Sequence, residues 1–345
     1  MAKMRRRPEA ADELVFGVCH AFLKGEKTED IATSFGLTRE GVYPLVVEGA
    51  ARNYLLLCPP PQQELTERLA ARYKLDPGRV RVVATRGKAA NEHVSWAGSD
   101  LVLDLMREVG ARKKRVHLGL GSGWTTLQVA RRLALRLRTE FSGPDLVLHA
   151  LSSGFDITDP LRAPVAFFGS FQNLPMKVDY YGLFVSAAVP WNMYEDVKTQ
   201  PGVRESFEHA PEVDIVVTSL ASAADEHGTL NAYLRQAPRD AALLRRAGWI
   251  GDLHYRPYSS TRPLLVNTER RAVTLFELAD LAALARTPHR HVVVLSAPCG
   301  RCGRTRNDAI RPLLDAPDLR VWTKLIIDVT TAEDLLDEGG PRAAG

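Results

Sequence analysis

Cysteine is scarce: four residues in a chain of 345 cannot build a disulfide framework, and free thiols suit a reducing compartment. Long apolar runs are missing as well. No stretch approaches the roughly 20 residues that a membrane span needs. The basic start, Met1 to Arg7, leads into Glu9, Asp12 and Glu13 rather than into a signal-peptide core, so the chain is expected in the cytoplasm with no membrane partner. Charge of one sign does not dominate either. With 45 Lys and Arg against 41 Asp and Glu, the net charge of +4 tolerates nucleic acid without demanding it. There is no internal repeat, no low-complexity tract and no legible Ser/His/Asp or Cys/His arrangement. His20, His93, His209, His227, His289 and His291 are scattered and read as structural. No catalytic residue, metal or cofactor is expected.

What the chain does have is length and apolar content, 45% hydrophobic with 25% charged, enough for a sizeable core and more than one domain. Its centre of interest is Arg115-Val116-His117-Leu118-Gly119-Leu120-Gly121-Ser122-Gly123-Trp124-Thr125-Thr126. A short apolar run ends there in three glycines at alternate positions, and Thr125 to Leu137 then takes helical spacing. Strand, loop and helix follow in that order. The helix would turn its free N–H groups and the positive end of its dipole toward whatever lies over the loop, beside the hydroxyls of Ser122, Thr125 and Thr126. That describes an anion site, most naturally for phosphate. It is neither a P-loop, for want of Lys-Ser/Thr after the last glycine, nor a Gly-x-Gly-x-x-Gly dinucleotide fingerprint; a tight turn without a ligand is the alternative.

Residues 1–57 read as a small helical module. Ala11 to Leu23 is helical, Thr28 is the expected N-cap of a second helix, Gly36 breaks the chain, and Leu37-Thr38-Arg39-Glu40-Gly41-Val42 begins a third. This is the layout of a helix-turn-helix, whose last helix enters the major groove of DNA. Pro44 falls inside that helix, where it removes a hydrogen bond at a cost of roughly 3 kcal/mol. Basic residues are sparse there, so a retained dimer-forming module is the other reading.

Cys58-Pro59-Pro60-Pro61 marks a boundary, and residues 58–62 read as a stiff proline linker. Gln62 to Tyr73 is helical. Beyond it, Arg79–Ala84, Val116–Leu118, Leu146–Leu151, Asp214–Ser219 and Val292–Ser296 read as strands, and Val94–Val109, Thr125–Leu137, Leu275–Ala285 and Asn307–Leu314 as helices. Such alternation predicts an α/β domain over 63–338 with a parallel sheet and helices on both faces. Residues 339–345 read as a disordered tail.

Two further stretches carry polar chemistry. Gly251-Asp252-Leu253-His254-Tyr255-Arg256 offers Asp252 to ligand hydroxyls and Arg256 to a phosphate, or is an exposed charged turn. Cys299-Gly300-Arg301-Cys302 is a lone Cys-x-x-Cys with neither a second pair nor a neighbouring His at ligand spacing. It reads as a glycine- and arginine-rich anion loop rather than a zinc site. Asp225-Glu226-His227-Gly228 reads as a surface turn.

Taken together, these segments resemble the SorC family of bacterial transcriptional regulators, the sugar-binding branch of the DeoR-like group, over nearly the whole chain. Gly119-Leu120-Gly121-Ser122-Gly123-Trp124-Thr125 is similar to the family's Gly-Val-Gly-Trp-Gly-Arg-Thr loop, with Trp124 where Arg is usual. Ala247-Gly248-Trp249-Ile250-Gly251-Asp252-Leu253 resembles its Gly-Ala-Val-Gly-Asp-Ile loop. Pro201-Gly202-Val203-Arg204 with Val213 to Val217 resembles a helix-strand step, and Leu325-Ile326-Ile327-Asp328 with Thr331-Ala332 and Leu335-Leu336 its closing segment. The resemblance implies a helix-turn-helix joined to a Rossmann-like effector domain related to glucosamine-6-phosphate deaminase and ribose-5-phosphate isomerase. It further implies a sugar-binding transcription regulator, not an enzyme, that binds double-stranded operator DNA and a phosphorylated sugar as a homodimer or homotetramer. The residues expected at the effector are Gly119, Gly121, Ser122, Gly123, Trp124, Thr125, Thr126, Asp252, Arg256 and Arg306, the last where the family has lysine. Thr28, Thr38, Arg39, Glu40 and Tyr43 are expected to face DNA. A sugar-phosphate isomerase or deaminase, with Asp252 as base, and an effector-binding protein with a degenerate helical module remain the alternatives.

Overall fold

The computed structural model describes residues 11–52, 54, 55, 57, 59–140, 143–154 and 160–337; the basic stretch Met1–Arg7 and the tail 339–345 lie outside them. The chain forms two compact units, Met1–Cys58 and Pro59–Gly345. Among the described residues no helix is long and apolar enough to cross a membrane.

The first unit holds three helices, α1 (Asp12–Leu23), α2 (Thr28–Ser34) and α3 (Arg39–Ala51). Val15, Val18, Cys19 and Ala21 of α1 bury themselves against Ile31, Ala32, Val42 and Leu45. Gly49 permits the close crossing of α3 over α1, because a Cβ there would lie 2.1 Å from the Cys19 sulfur. Gly36, at φ +65°, makes the expected turn. One expectation needs correction. Thr28 is the first helical residue, not the cap; Lys27 holds the cap position without a side-chain bond. Pro44 lies inside α3, as expected, and the helix runs seven residues past it; the break is confined to the missing bond to the Glu40 carbonyl.

The second unit is built on a parallel sheet. Its strands are β1 (Val80–Val83), β2 (Arg115–Leu120), β3 (Asp145–Ala150), β4 (Val178–Tyr181), β5 (Ala188–Pro190), β6 (Ile215–Ser222), β7 (Gly251–Leu253), β8 (Arg256–Tyr258), β9 (Arg270–Ala272), β10 (His291–Leu295) and β11 (Lys324–Asp328). The main path is β1-β11-β10-β6-β2-β3-β4, with β7 and β8 added antiparallel beyond β6, and β5 paired with β9 apart from it. The central strands are runs of buried aliphatic residues whose side chains alternate between the two faces. Val292 and Val294 face one apolar core and Val293 and Leu295 the other. One core is closed by α5 (Ala90–Gly110) and α6 (Trp124–Glu140). The opposite core is closed by α4 (Gln63–Arg72) and the helices 278–286, 307–315 and 329–337.

The proline segment is not a free spacer. Pro60 accepts from the Ala84 amide at 2.9 Å, Gln62 donates to Val82 at 2.7 Å, and Pro61 bridges Val83. Proline has no N–H to offer a ladder, so this stretch covers the exposed edge of β1 without inviting a further strand.

Candidate functional site

Between β2 and β6 the strand order reverses: from β2 the chain moves outward to β3, from β6 it moves the other way to β10. Loops leaving the carboxyl ends of such strands diverge and leave a crevice, the usual ligand position in open α/β sheets. A cavity of about 550 Å³ lies there, lined by Ser122, Gly123, Trp124 and Thr125 after β2, by Thr218 to Ala221 at the end of β6, and by Asp252, His254, Tyr255, Cys299 and Arg306.

The glycine loop divides into two functions. A Cβ at Gly119 would lie 2.5 Å from Leu151 Cδ2, and one at Gly121 2.8 Å from Thr218 Oγ1. Both glycines let neighbouring strands pack, and neither lines the cavity. Gly123 is different: its φ of +111° turns the chain from strand into α6, and a Cβ there would meet only Ser219 Oγ at 3.6 Å. The first turn of α6 thus opens on the cavity with backbone N–H groups that have no partner within the helix. Trp124 stands at its start, 48% exposed. Thr126 is fully buried and its Oγ1 has no partner; it does not line the cavity.

The segment 251–256 is a two-residue β-hairpin, not an exposed turn. Leu253 pairs with Arg256 and Asp252 with Pro257, and His254 and Tyr255 at the tip have φ of 56° and 59°. Both turn residues are left-handed, as this hairpin type requires, although the positions usually fall to Asn and Gly. Such strain persists where surroundings hold it. His254 Nε2 bonds to the Leu151 carbonyl at 2.8 Å, and the Tyr255 hydroxyl bonds to Ser122.

Register also separates the two polar residues. Residues adjacent along a strand point to opposite faces, and Arg256 lies across from Leu253, so it cannot share a face with Asp252. Arg256 turns away, donating to the Ala272 carbonyl and the Tyr194 hydroxyl at 3.0 Å each and pairing with Glu277 at 2.8 Å. Its expected role at the effector is thereby corrected.

Burial shapes the remaining groups. It pushes Asp252 up to about 7, against the pull of Arg306, and His254 down to about 4. With Nε2–H given to Leu151, neutral His254 presents Nδ1 as an acceptor, and that atom, Asp252 Oδ1 and Asn91 Oδ1 have no partner. Three buried acceptors at one cavity call for a ligand rich in donors. Cations gather as well. Arg306 lines the cavity while bound to Asp225 Oδ2 at 2.9 Å. Arg301, in the loop read as an anion site, lines it too, as do Lys88 and Arg162, which no local sequence signal marked. Asn91, anchored to Thr125 at 2.9 Å, has no local signal either, and His254, though inside the stretch 251–256, takes no role in the sequence reading. His227, read as structural, lies 3.5 Å from the Cys299 sulfur, so the fold supplies the His that local spacing lacked.

In the first unit, Thr38, Arg39, Glu40 and Tyr43 are exposed and Thr28 is half-buried. Arg39 pairs with Glu29 at 3.2 Å. The exposed positions of α3 continue with Pro44, Val47, Ala50 and Ala51.

No family model and no curated protein matches this sequence. Solved structures do, and they define a fold class, that of SorC- and DeoR-type transcriptional regulators. The full-length sorbitol operon regulator SorC from Klebsiella pneumoniae matches at a TM-score of 0.67 and 14% identity, over 95% of this chain and 100% of that one. A DeoR family transcriptional regulator from Listeria monocytogenes matches at 0.56 and 18% identity, over 79% of this chain and 98% of its own. A transcriptional regulator from Streptococcus pneumoniae TIGR4 matches at 0.59 and 12%, over 80% and 96%. The likeness is one of fold: it takes in the Rossmann-like α/β unit and, in the match to SorC, residues of the helical unit as well.

Proposed function

We propose that this chain is a transcriptional regulator. Its α/β unit binds a phosphorylated sugar or closely related metabolite, and the bound ligand biases the helical unit toward or away from operator DNA. The observation that carries the reading is the chemistry of one cavity. A helix start with Ser122, Thr125, Lys88 and Arg301 suits a phosphate, while the acceptors of Asn91, Asp252 and His254 suit sugar hydroxyls. Ser122, Gly123, Trp124, Thr125, Asp252 and Arg306 are the effector residues of this reading; Thr38, Arg39, Glu40 and Tyr43, with Thr28 behind them, are those for DNA. Such a protein works in the cytoplasm, and a two-fold operator calls for a homodimer or homotetramer.

The test is binding of the purified protein to its own promoter region across a salt series, with and without a panel of sugar phosphates. Affinity that falls steeply with salt and shifts with one member of the panel supports the reading. Turnover of a panel member would replace it with the isomerase reading, in which Asp252, titrating about 7, serves as base. A second reading rests on α3, whose exposed Tyr43, Pro44 and Val47 suit a protein neighbour better than a phosphate backbone. Absence of DNA binding at low salt would favour it.

A further inference from the structure

Asp225-Glu226-His227 and Cys299-Gly300-Arg301-Cys302 are far apart in sequence, but they follow β6 and β10, adjacent parallel strands aligned Val294 to Thr218 and Leu295 to Ser219. Ligand atoms of Asp225, His227, Cys299 and Cys302 all lie within 4.8 Å of one another. Cys299 Sγ is 3.5 Å from His227 Nδ1, and His227 Nδ1 is 3.8 Å from Asp225 Oδ1. A tetrahedral zinc with bonds of about 2.3 Å to sulfur and about 2.0 Å to nitrogen sets its sulfur–nitrogen edge at about 3.5 Å. The Cys299–His227 pair stands at the spacing the ion imposes, and the remaining donors lie close enough to complete the tetrahedron.

Both loops are held in place by bonds of their own. The His227 amide donates to Asp225 Oδ1 at 3.0 Å, and the Asn231 amide donates to the carbonyls of Ser222, Ala223 and Asp225. On the other side, Cys299 donates to the Arg304 carbonyl at 2.9 Å and Gly303 donates back to Cys299 at 2.8 Å, a turn that Gly303 makes at φ +72°. Arg304 then reaches across to the Ala224 carbonyl at 2.7 Å. Charge balances too. Two thiolates and a carboxylate exceed a divalent ion by one negative charge, and Arg306 on Asp225 Oδ2 at 2.9 Å offsets it while orienting the carboxylate. Two sulfur donors select zinc over magnesium or calcium.

We propose that Asp225, His227, Cys299 and Cys302 form a four-coordinate zinc site that ties the loop after β10 to the loop after β6. Because His227, Cys299 and Arg306 line the cavity, the ion fixes one of its walls. The site stands whether or not that cavity takes a phosphorylated ligand, and its test needs no effector. Untagged full-length protein, reduced and stripped with a chelator under anaerobic conditions, is reloaded with zinc or cobalt(II). The expected result is one equivalent of metal per chain, with a cobalt spectrum showing thiolate charge transfer and the intense visible bands of tetrahedral coordination. C302S, at an exposed position and so little threat to folding, halves the charge-transfer intensity; H227A shifts the visible bands. Each variant weakens cobalt binding at least as much as the roughly 10–100-fold loss typical of an outer-shell partner, with circular dichroism unchanged. Three results would each overturn the site: far less than one equivalent bound, a cobalt spectrum indifferent to C302S, or a Cys299–Cys302 disulfide in the freshly reduced protein.

Discussion

At the scale of single residues, Asp252 sets the chemistry of the cavity. Burial raises its carboxyl from 3.8 to about 7, so the folded chain holds a proton there that the unfolded chain has released. A raised folded pKa gives stability that is complete below the unfolded value and lost as pH rises through the folded one. D252N keeps an acceptor for the Tyr255 amide and does not titrate. Its unfolding free energy relative to wild type is therefore expected to rise between about pH 4 and 7, by on the order of a few kcal/mol, and then level off. Urea unfolding at a series of pH values checks this; a difference independent of pH would mean that Asp252 is ionised throughout. His254 works with the opposite sign. Its folded value of about 4 makes its contribution full above its ordinary 6.5 and lost as pH falls toward 4, a window inside that of Asp252, so the two slopes oppose one another in the wild type and only the difference between D252N and wild type isolates the carboxyl.

At the scale of elements, the glycine loop and the third helix each carry a prediction. G119A forces a methyl against Leu151, an overpacking cost of about 1–3 kcal/mol, and lowers the melting temperature while leaving ligand affinity intact. G123A has room for its methyl but not for its backbone at φ +111°, a strain of about 1–3 kcal/mol. Relief of that strain moves the start of α6, so if the cavity takes a sugar phosphate, G123A weakens its binding by calorimetry where G119A does not. P44A restores the missing bond within α3 and stabilises the helical unit by up to about 3 kcal/mol, read as slower hydrogen exchange in α3. The strands that the sequence made legible are the buried aliphatic ones, β1, β2, β3, β6 and β10, because burial on both faces leaves runs of valine and leucine. The edge strand β4, Val178-Asp179-Tyr180-Tyr181, is half-exposed and mixed, and β5 and β9 are three residues each, too short for any period. Asp252 was legible as a polar residue beside glycine. The direction of Arg256 was not, since it depends on a hairpin register set by two left-handed residues, His254 and Tyr255, whose types announce no turn. Lys88, Asn91 and Arg301, like the quartet around Cys299, come together only through the order of the strands.

At the scale of the whole molecule, the question is whether the helical unit, with so little charge on α3, meets a polyanion at all. The exposed positions of α3 carry one cation, Arg39, one anion, Glu40, and then Tyr43, Pro44, Val47, Ala50 and Ala51. Arg39 is held by Glu29 at 3.2 Å, but both side chains are more than half exposed, so a phosphate can take it over at little cost. Each phosphate neutralised adds about 0.9 to the slope of log affinity against log salt. If α3 faces DNA, R39A lowers that slope by about 1 and weakens binding to operator and random DNA alike. A larger loss on the operator alone would instead place Arg39 on a base edge. If R39A changes neither slope nor affinity, α3 faces something other than DNA, and its tyrosine, proline and valine become the natural contact. V47E then separates the cases: it breaks an assembly seen by sedimentation if α3 joins copies of the chain, and leaves that assembly intact while repelling DNA if α3 lies in the groove.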